Sequence, residues 1–451
     1  MRSSQILLIL TTITLISCDP SLFISLPFER HTLEEESKEF PYNFLDSNEA
    51  SVEIKLGTPL QSVKLQLKTE EYSTVILNSK AKIISKDGKF DEKKSSTYGA
   101  DKRNHDLYTS PYGLYDKGKK SNDTFNVGGV DTKQINFMLT TKASDDKAIH
   151  FGSGILGNAR YNEDYIDTKI KDINLVDQLV KKKAIKAPIT TYKFTNGDNG
   201  EFIIGSYPHE YDSKGFNQGN LLKLKVSNEF PDSWVIEVND ITYGDEKFEA
   251  DYKKYVTFNF EIGYIGGTTG FHKVIFEKFF DKAIKDNLCE QHLHHHTAYY
   301  SCVNDKGKLH LENIKPLKFF VDGFTFELNA DDLFVEHDGK LLYLVTFDEN
   351  FMKVWNFGLP AFKKYQVTFD RKANLIGIYK NSVKQAVSKT PVPSINNNNN
   401  LLLKVVLFGF FAFVFGIALI MSVKAGLKCK KGKRVRRKNE LFDDFIYQEM
   451  N

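Results

Sequence analysis

An uncharged segment near the C-terminus constrains this chain more than any other feature. Residues 405–423 are 19 consecutive positions without a charged side chain, and a helix needs about 20 apolar residues to cross the hydrocarbon core of a bilayer. Nine lysines and arginines and no acid follow between residues 424 and 438, and positive charge marks the cytosolic side of a membrane. The pattern predicts a transmembrane helix over 401–423 and a cytosolic tail over 424–451.

The N-terminus predicts export of everything that precedes this helix. Arg2 is followed by an apolar stretch over 6–16, which is too short to span a bilayer and is typical of a cleaved signal peptide, here predicted over 1–18. A short acidic segment over 19–50 follows. A stalk over 382–400, with two prolines and five consecutive asparagines, has the composition of a flexible linker. We therefore expect a single-pass type I membrane protein of the cell surface or the secretory and endolysosomal pathway.

Charge argues against a nucleic-acid partner. The chain has a net charge of +3. Its tail holds nine basic and four acidic residues, or +5, which leaves −2 for the rest. A body of that charge lacks the basic surface that nucleic-acid binding needs, so we expect none.

Several short motifs depend on this topology. Cys289 and Cys302 are the cysteines of the exported body, and in an exported chain they predict one disulfide; two free buried thiols are the alternative. Asn122 begins a glycosylation sequon. Tyr447 and Met450 form a Tyr-x-x-Met pattern in the tail that is similar to sorting signals bound by clathrin adaptors. The alternative is that so short a pattern occurs by chance.

The exported body has the pattern of a mostly-β protein. Aromatic residues make up 13% of the chain, and they favour strands. Residues 319–328 alternate around Asp322-Gly323, which is a hairpin signal. Helical patterns are confined to 174–183 and 271–287. Such a chain favours paired sandwiches or barrels.

An ordered series of motifs resembles the pepsin-like aspartic peptidases. The strand Ile-Lys-Leu-Gly-Thr-Pro-Leu-Gln over 54–61 is similar to the strand that begins their N-terminal lobe. Further matches follow in the order that the family has. They lie at 90–91, 95–98, 112–113, 123–129, 154–157 (Gly-Ile-Leu-Gly), 175–183, 200–205 and 234–241, and the last is at 355–378.

The resemblance implies a bilobal pepsin-like fold of two β-barrel-like lobes with a cleft between them. It places the N-terminal lobe at 51–212 and the C-terminal lobe at 213–381. Tyr112 and Gly113 correspond to the flap that covers a bound peptide, so a peptide or protein in the cleft is the expected ligand. The family uses no cofactor and no metal.

The first catalytic loop departs from the family pattern. The family has one aspartate per lobe in an Asp-Thr/Ser-Gly loop, and two close carboxylates share a proton so that one acts as acid and the other as base. At this position stand Lys68, Thr69 and Glu70. Lysine has no acceptor for the shared proton. Glu70 lies two residues on, where the strand alternation would aim it elsewhere, so we do not expect it to substitute.

The second loop departs as well. Glu261 stands at the position assigned to the second aspartate, Ile262 lacks the orienting hydroxyl, and Gly263 keeps the glycine. We predict that no catalytic pair is intact and that ordinary peptidase activity is lost. We also predict that Lys68 and Glu261 face each other across the lobes as a partly buried salt bridge.

Three functions remain open on the sequence. The first is a catalytically inactive homologue whose cleft binds a peptide or protein. The second is an active or weakly active aspartic endopeptidase, and the third is a structural surface protein whose cleft is closed. Tyr72 and Tyr264, beside the altered loops, favour the third weakly because they are bulky.

The histidines at 292 and 294–296 raise the question of a metal site. Consecutive histidines cannot all turn toward one ion, and no carboxylate stands at a zinc-like spacing. We therefore expect a solvated loop closed by the disulfide and no metal.

Overall fold

The computed structural model describes most of the exported body. The chain divides into two compact units, residues 1–387 and 388–451. All described residues belong to the first unit, and they are 23–31, 45, 49–81, 84–85, 87–106, 117–142, 149–150, 152–161, 171–247, 253–294, 296–348 and 354–380. The predicted signal peptide, stalk, transmembrane helix and tail motif lie outside them. Among the described residues, no helix is long and apolar enough to cross a membrane.

The first lobe is built of twelve named strands in the described residues. They are β1 Ile24–His31, β2 Glu49–Leu56, β3 Gln61–Lys68, β4 Thr74–Leu77, β5 Ile84–Ser85, β6 Gly99–Asp106, β7 Lys117–Val127, β8 Val130–Lys142, β9 Ile149–His150, β10 Gly154–Gly157, β11 Ile189–Asn196 and β12 Asn199–Ile204. The helical elements are a 3₁₀ turn Glu92–Lys94, α1 Leu175–Lys181 and α2 Pro208–Tyr211.

The predicted lobe boundary at 212/213 stays a prediction; it falls between β12 and the next strand, and we call the elements after it the second lobe. Its strands are β13 Leu221–Lys225, β14 Val235–Val238, β15 Asp240–Tyr243, β16 Glu246–Lys247, β17 Lys254–Phe258, β18 Ile265–Thr268, β19 Cys289–His294, β20 Thr297–Val303, β21 Leu317–Val321, β22 Phe324–Leu328, β23 Phe334–His337, β24 Lys340–Tyr343, β25 Val345–Asp348, β26 Val354–Phe357, β27 Val367–Asp370 and β28 Leu375–Tyr379. Its helical elements are 3₁₀ turns Gln218–Asn220 and Leu311–Asn313, α3 Thr269–Ile275, a π-helical turn Phe276–Phe280, α4 Asp281–Lys285, α5 Lys306–Leu309, α6 Ala330–Leu333 and α7 Leu359–Lys364.

One large sheet joins the two lobes. Its strand order is β13-β28-β27-β11-β12-β1-β2-β3-β10-β4-β8-β7-β6, so three strands from the second lobe extend the sheet of the first. The second lobe has its own sheet, β14-β17-β26-β18-β25-β20-β24-β23 with β19 beside β20, and a smaller sheet β16-β15-β21-β22. The expectation of a mostly-β protein is confirmed.

Local sequence accounts for the predicted elements. In the β21–β22 hairpin, Asp322 and Gly323 both have positive φ, 48° and 71°, as a two-residue hairpin turn requires. Helix α1 begins after Asn174, whose side chain accepts a hydrogen bond from the backbone N–H of Asp177 at 3.0 Å, which satisfies a donor at the helix start. Both predictions are confirmed.

Strand β1 was not foreseen from the sequence. It lies inside the large sheet and pairs with both β12 and β2. Phe28 is buried there, and a Cβ at Gly200 on the neighbouring strand would lie 2.3 Å from its ring. Only a glycine at 200 therefore leaves room for Phe28 in the core.

Candidate functional site

The same strand–loop–strand unit occurs in both lobes. In the first lobe, β3 leads through a loop to β4, and β10 inserts between them, parallel to β3 and antiparallel to β4. In the second lobe, β17 leads through a loop to β18, and β26 inserts in the same way, parallel to β17 and antiparallel to β18. We call these the first loop (residues 69–73) and the second loop (residues 260–264).

A glycine at the end of each inserted strand fits against the adjacent loop. A Cβ at Gly157 would lie 2.5 Å from the carbonyl oxygen of Glu71, and a Cβ at Gly358 would lie 2.5 Å from that of Ile262. Distances this short exclude any side chain, so each loop is held against bare backbone. The two contacts make Glu71 and Ile262 equivalent positions.

Counting back from these contacts aligns the two loops. Lys68 then corresponds to Asn259, and Glu70 corresponds to Glu261. The strand registers agree, because Leu156 pairs with Leu67 just as Phe357 pairs with Phe258. The repeated geometry thus places Asn259, rather than Glu261, at the position equivalent to Lys68, two residues from the sequence-based assignment.

A direct ion pair between Lys68 and Glu261 is not seen among the described residues, although the ammonium of Lys68 acts on the Glu261 carboxylate and opposes the rise of its pKa. The Glu261 carboxylate instead accepts a hydrogen bond from the backbone N–H of Glu70 at 3.1 Å. The physical reason is the two-residue offset: Glu261 continues beyond the end of β17 and reaches across to the first loop.

Two hydrogen bonds tie the loops together across the lobes. Besides the bond from Glu70 to Glu261, the backbone N–H of Phe260 donates to the hydroxyl of Thr69 at 2.9 Å. The reciprocal bond would need a hydroxyl at 260, but Phe260 packs its ring 4.4 Å from that of Tyr192. An aromatic contact has therefore replaced one half of a symmetric pair of hydrogen bonds.

The two glutamates of the loops lie close enough to affect each other. Burial and the neighbouring Glu261 carboxylate raise the pKa of Glu70 to about 8, while the ammonium of Lys68 and the amide of Asn259 act against this rise. Burial also raises the pKa of Glu261, opposed by Lys68 and by backbone donors of the first loop. Environments that raise carboxyl pKa values in this way are common at functional sites.

The first loop is braced from beneath by a polar network. The hydroxyl of Tyr72 donates to Asp177 at 2.8 Å, and the guanidinium of Arg371 donates to the same carboxylate at 2.8 Å. Arg371 also donates to Asn158 at 3.2 Å. Tyr72 therefore points into the protein, where it supports the loop.

The second loop is packed by the N-terminal segment. The carbonyl of Leu45 accepts a hydrogen bond from Gly263 at 2.8 Å, and the Leu45 side chain is fully buried with Ile262, Tyr264 and Tyr299. Neither Tyr264 nor Tyr72 is more than 6% exposed. The two tyrosines therefore give no support to a closed cleft.

The other predicted site residues have separate outcomes. The disulfide is confirmed: Cys289 and Cys302 lie opposite each other on β19 and β20 and are bonded. Asn122 lies in β7, half-buried, opposite Gly99, and its glycosylation stays a prediction. Tyr112 and Gly113 of the flap fall outside the described residues, as do Tyr447 and Met450.

The histidine segment forms the end of the β19–β20 hairpin. A ring nitrogen of His292 lies 2.7 Å from the hydroxyl of Ser301, and its ring stacks on Tyr299. In the part of the chain that the structure describes, no three His, Cys, Asp or Glu side chains are grouped to hold a metal.

Sequence reasoning missed the roles of Asn259 and Glu70. A signal for both was present, because each loop has a glutamate two residues beyond Lys68 or Asn259. Comparing the chain with itself, rather than with the family pattern, would have aligned the two loops.

The repeated strand–loop–strand unit makes this an internally duplicated β protein. Its candidate functional site lies where the first and second loops meet. The chain matches the family described as eukaryotic aspartyl protease over residues 50–381, and it belongs to that family. It is similar to Rhizopuspepsin-1 of Rhizopus niveus, 27% identical over 293 residues that cover 64% of this chain and 68% of the relative. Rhizopuspepsin of Rhizopus chinensis is 25% identical over 329 residues, or 68% of this chain and 76% of the relative.

Proposed function

We propose that this protein is a catalytically inactive aspartic-peptidase homologue that binds a peptide or an extended protein segment between its lobes. The observation that carries the proposal is the pair of residues at the two equivalent loop positions, Lys68 and Asn259. These stand where the family mechanism needs two carboxylates.

Neither residue can take over that chemistry. The ammonium of lysine has three donors and no acceptor, and the amide of asparagine does not ionise. A water between them could not lose its proton to a base while an acid protonates the leaving group. The loss of acid–base catalysis therefore follows from the functional groups of Lys68 and Asn259, whatever the distance between them.

Peptide binding does not need the missing carboxylates. Extended peptides bind to sheet edges and grooves chiefly through backbone hydrogen bonds, and side-chain pockets add selectivity. The scaffold around the loops keeps both glycine contacts and the inter-lobe hydrogen bond to the Thr69 hydroxyl. A retained scaffold with altered chemistry favours binding over hydrolysis.

Hydrolysis by the glutamates is the second candidate, because one carboxyl from each lobe does reach the junction. Glu70 and Glu261 have raised pKa values, and a protonated and an ionised carboxyl together could supply an acid and a base. Both are largely buried and Glu261 is already bonded to the opposite loop, which argues against free access to a substrate.

The predicted signal peptide and transmembrane helix support a cellular location for the protein. We propose a type I membrane protein, anchored by 401–423, at the cell surface or in the endolysosomal and secretory pathway. The Tyr447 and Met450 pattern would recruit a clathrin adaptor. A structural surface protein remains the third candidate.

The test uses the full chain in detergent micelles. Cleavage of an unfolded protein is measured from pH 3 to 7 with and without a statine-type inhibitor, alongside binding of a fluorescent unfolded peptide by anisotropy. We expect peptide binding that the inhibitor displaces, and no turnover. Inhibitor-sensitive turnover that disappears in Glu261→Gln would establish the second candidate, and absence of both binding and turnover would refute the proposal.

A further inference from the structure

We propose that Glu70 and Glu261 form a clasp between the lobes that holds one proton, so that contact between the lobes weakens as pH rises. The inference rests on the proposed function only in predicting that peptide binding follows the same pH dependence. The clasp itself is a property of the two loops.

The geometry brings the two residues together from equivalent positions. Glu70 is the third residue of Lys68-Thr69-Glu70, and Glu261 is the third of Asn259-Phe260-Glu261. Family members have a glycine at this point of the loop. Two glutamates here put two side chains into the junction between lobes where the family has none.

One oxygen of Glu261 is paired and the other is not. Oε1 accepts the hydrogen bond from Glu70 N–H. Oε2 is enclosed and has no hydrogen-bond partner within the described residues. A buried acceptor without a donor is unfavourable. The carboxyl of Glu70, which is hydrogen bonded to the amide of Asn259 and feels the charge of Glu261, becomes a donor when it is protonated.

The surrounding charges favour one negative charge and not two. Lys68, at the end of β3, is the cation that acts on both glutamates. Asp232, in the loop before β14, adds negative charge near Glu70. Tyr192, on β11, faces Glu261; burial and the Glu261 charge raise the pKa of this tyrosine. One ammonium balances one carboxylate, so the second carboxyl keeps its proton.

The direction of the pH effect follows from the pKa of Glu70. In the unfolded chain a glutamate has its ordinary pKa of 4.5, whereas burial and Glu261 raise the pKa of Glu70 to about 8 in the folded protein. A raised carboxyl pKa means that the folded state holds a proton which the unfolded state has lost. The stabilisation is complete below about pH 4.5, declines between pH 4.5 and 8, and is gone above that range.

The test is urea unfolding of the full chain in detergent, followed by tryptophan fluorescence. The chain has only two tryptophans, both buried, and the indole of Trp234 donates to the carbonyl of Asn158 across the lobes at 2.7 Å. Unfolding constants are measured at pH 5, 6.5, 8 and 9 for the wild type and for Glu70→Gln, Glu261→Gln and the double variant. Glu237→Gln, an exposed glutamate on β14, is the matched control.

We expect the unfolding constant of the wild type to rise at least 30-fold from pH 5 to pH 8, because a shift from 4.5 to about 8 corresponds to roughly 3,000-fold at most and Glu70 keeps some contact with solvent. Glu70→Gln should remove most of this rise, Glu261→Gln should reduce it, and the double variant should show less than the sum of both effects. Glu237→Gln should behave as the wild type.

An unchanged pH dependence in both single variants would overturn the clasp. Peptide anisotropy on the same samples separates this failure from that of the proposed function. If unfolding follows the expected pattern but no peptide binds at any pH, the clasp stands and the proposed function falls. If peptide binds equally at pH 5 and 8 while unfolding shows no dependence on Glu70, the proposed function stands and the clasp falls.

Discussion

Arg371 offers a direct test of how the two lobes support the first loop. It follows strand β27 and its side chain is 7% exposed. Its guanidinium donates to Asp177 at 2.8 Å and to Asn174 at 2.9 Å, both in the first lobe. Replacing it in Arg371→Met keeps most of the buried length and removes the charge and all of its donors.

The expected loss follows from what the variant leaves behind. Asp177 would keep the hydroxyl of Tyr72 as a donor but lose its cation. Removing one partner of a buried pair costs about 3–5 kcal/mol, because the other charge is stranded. The Asp177 side chain is 24% exposed, so water recovers part of this loss. We therefore expect Arg371→Met to lower the free energy of unfolding by about 3 kcal/mol.

The assay is urea unfolding of the full chain at pH 6.5, followed by tryptophan fluorescence. Lys273→Met is the matched control, because Lys273 lies in an exposed ion pair with Glu277 at 3.8 Å and should change stability by less than about 0.5 kcal/mol. Adding Asp177→Asn to Arg371→Met should recover part of the loss, since no charge is then stranded. A loss below about 1 kcal/mol in Arg371→Met would refute the argument from burial.

Three further predictions concern the loops and the hairpin, each measured by the same unfolding assay. Gly157→Ala places a Cβ 2.5 Å from the backbone of the first loop, so we expect a loss above about 3 kcal/mol or failure to fold, whereas Gly219→Ala meets only a side-chain oxygen at 3.3 Å and should be tolerated; similar losses in both would contradict this. Cys302→Ser opens the bond to Cys289, 13 residues away in sequence, and should cost about 3 kcal/mol; addition of a reductant to the wild type should reproduce the effect. Leu45→Ala should cost about 2–5 kcal/mol because Leu45 is fully buried, and a neutral result would mean that the N-terminal segment does not hold the second loop.

The disulfide, the hairpin at Asp322-Gly323 and the helix after Asn174 were correctly predicted because each depends on short-range chemistry. A two-residue turn needs positive φ at adjacent residues, and a helix start needs a capping acceptor. A few neighbouring residues are therefore enough to predict either element. The replacement of the first aspartate by Lys68 was read from its spacing after Pro59 on one continuous pair of strands. These features are local. The family resemblance depended in addition on the order of the short motifs along the chain.

The arrangement of the second loop was decided only by tertiary structure. Its register is set by β26, nearly a hundred residues further on, and Gly358, which directly follows this strand, contacts the loop backbone. Asn259 therefore takes the position that sequence spacing assigned to Glu261, and the Glu261 carboxylate accepts a hydrogen bond from the backbone of Glu70. Side chains from two distant loops meet according to how the lobes pack. The sequence thus determined that Lys68 ends the first strand pair where the family pattern has an aspartate, and the packing of the lobes decided that two glutamates occupy the junction.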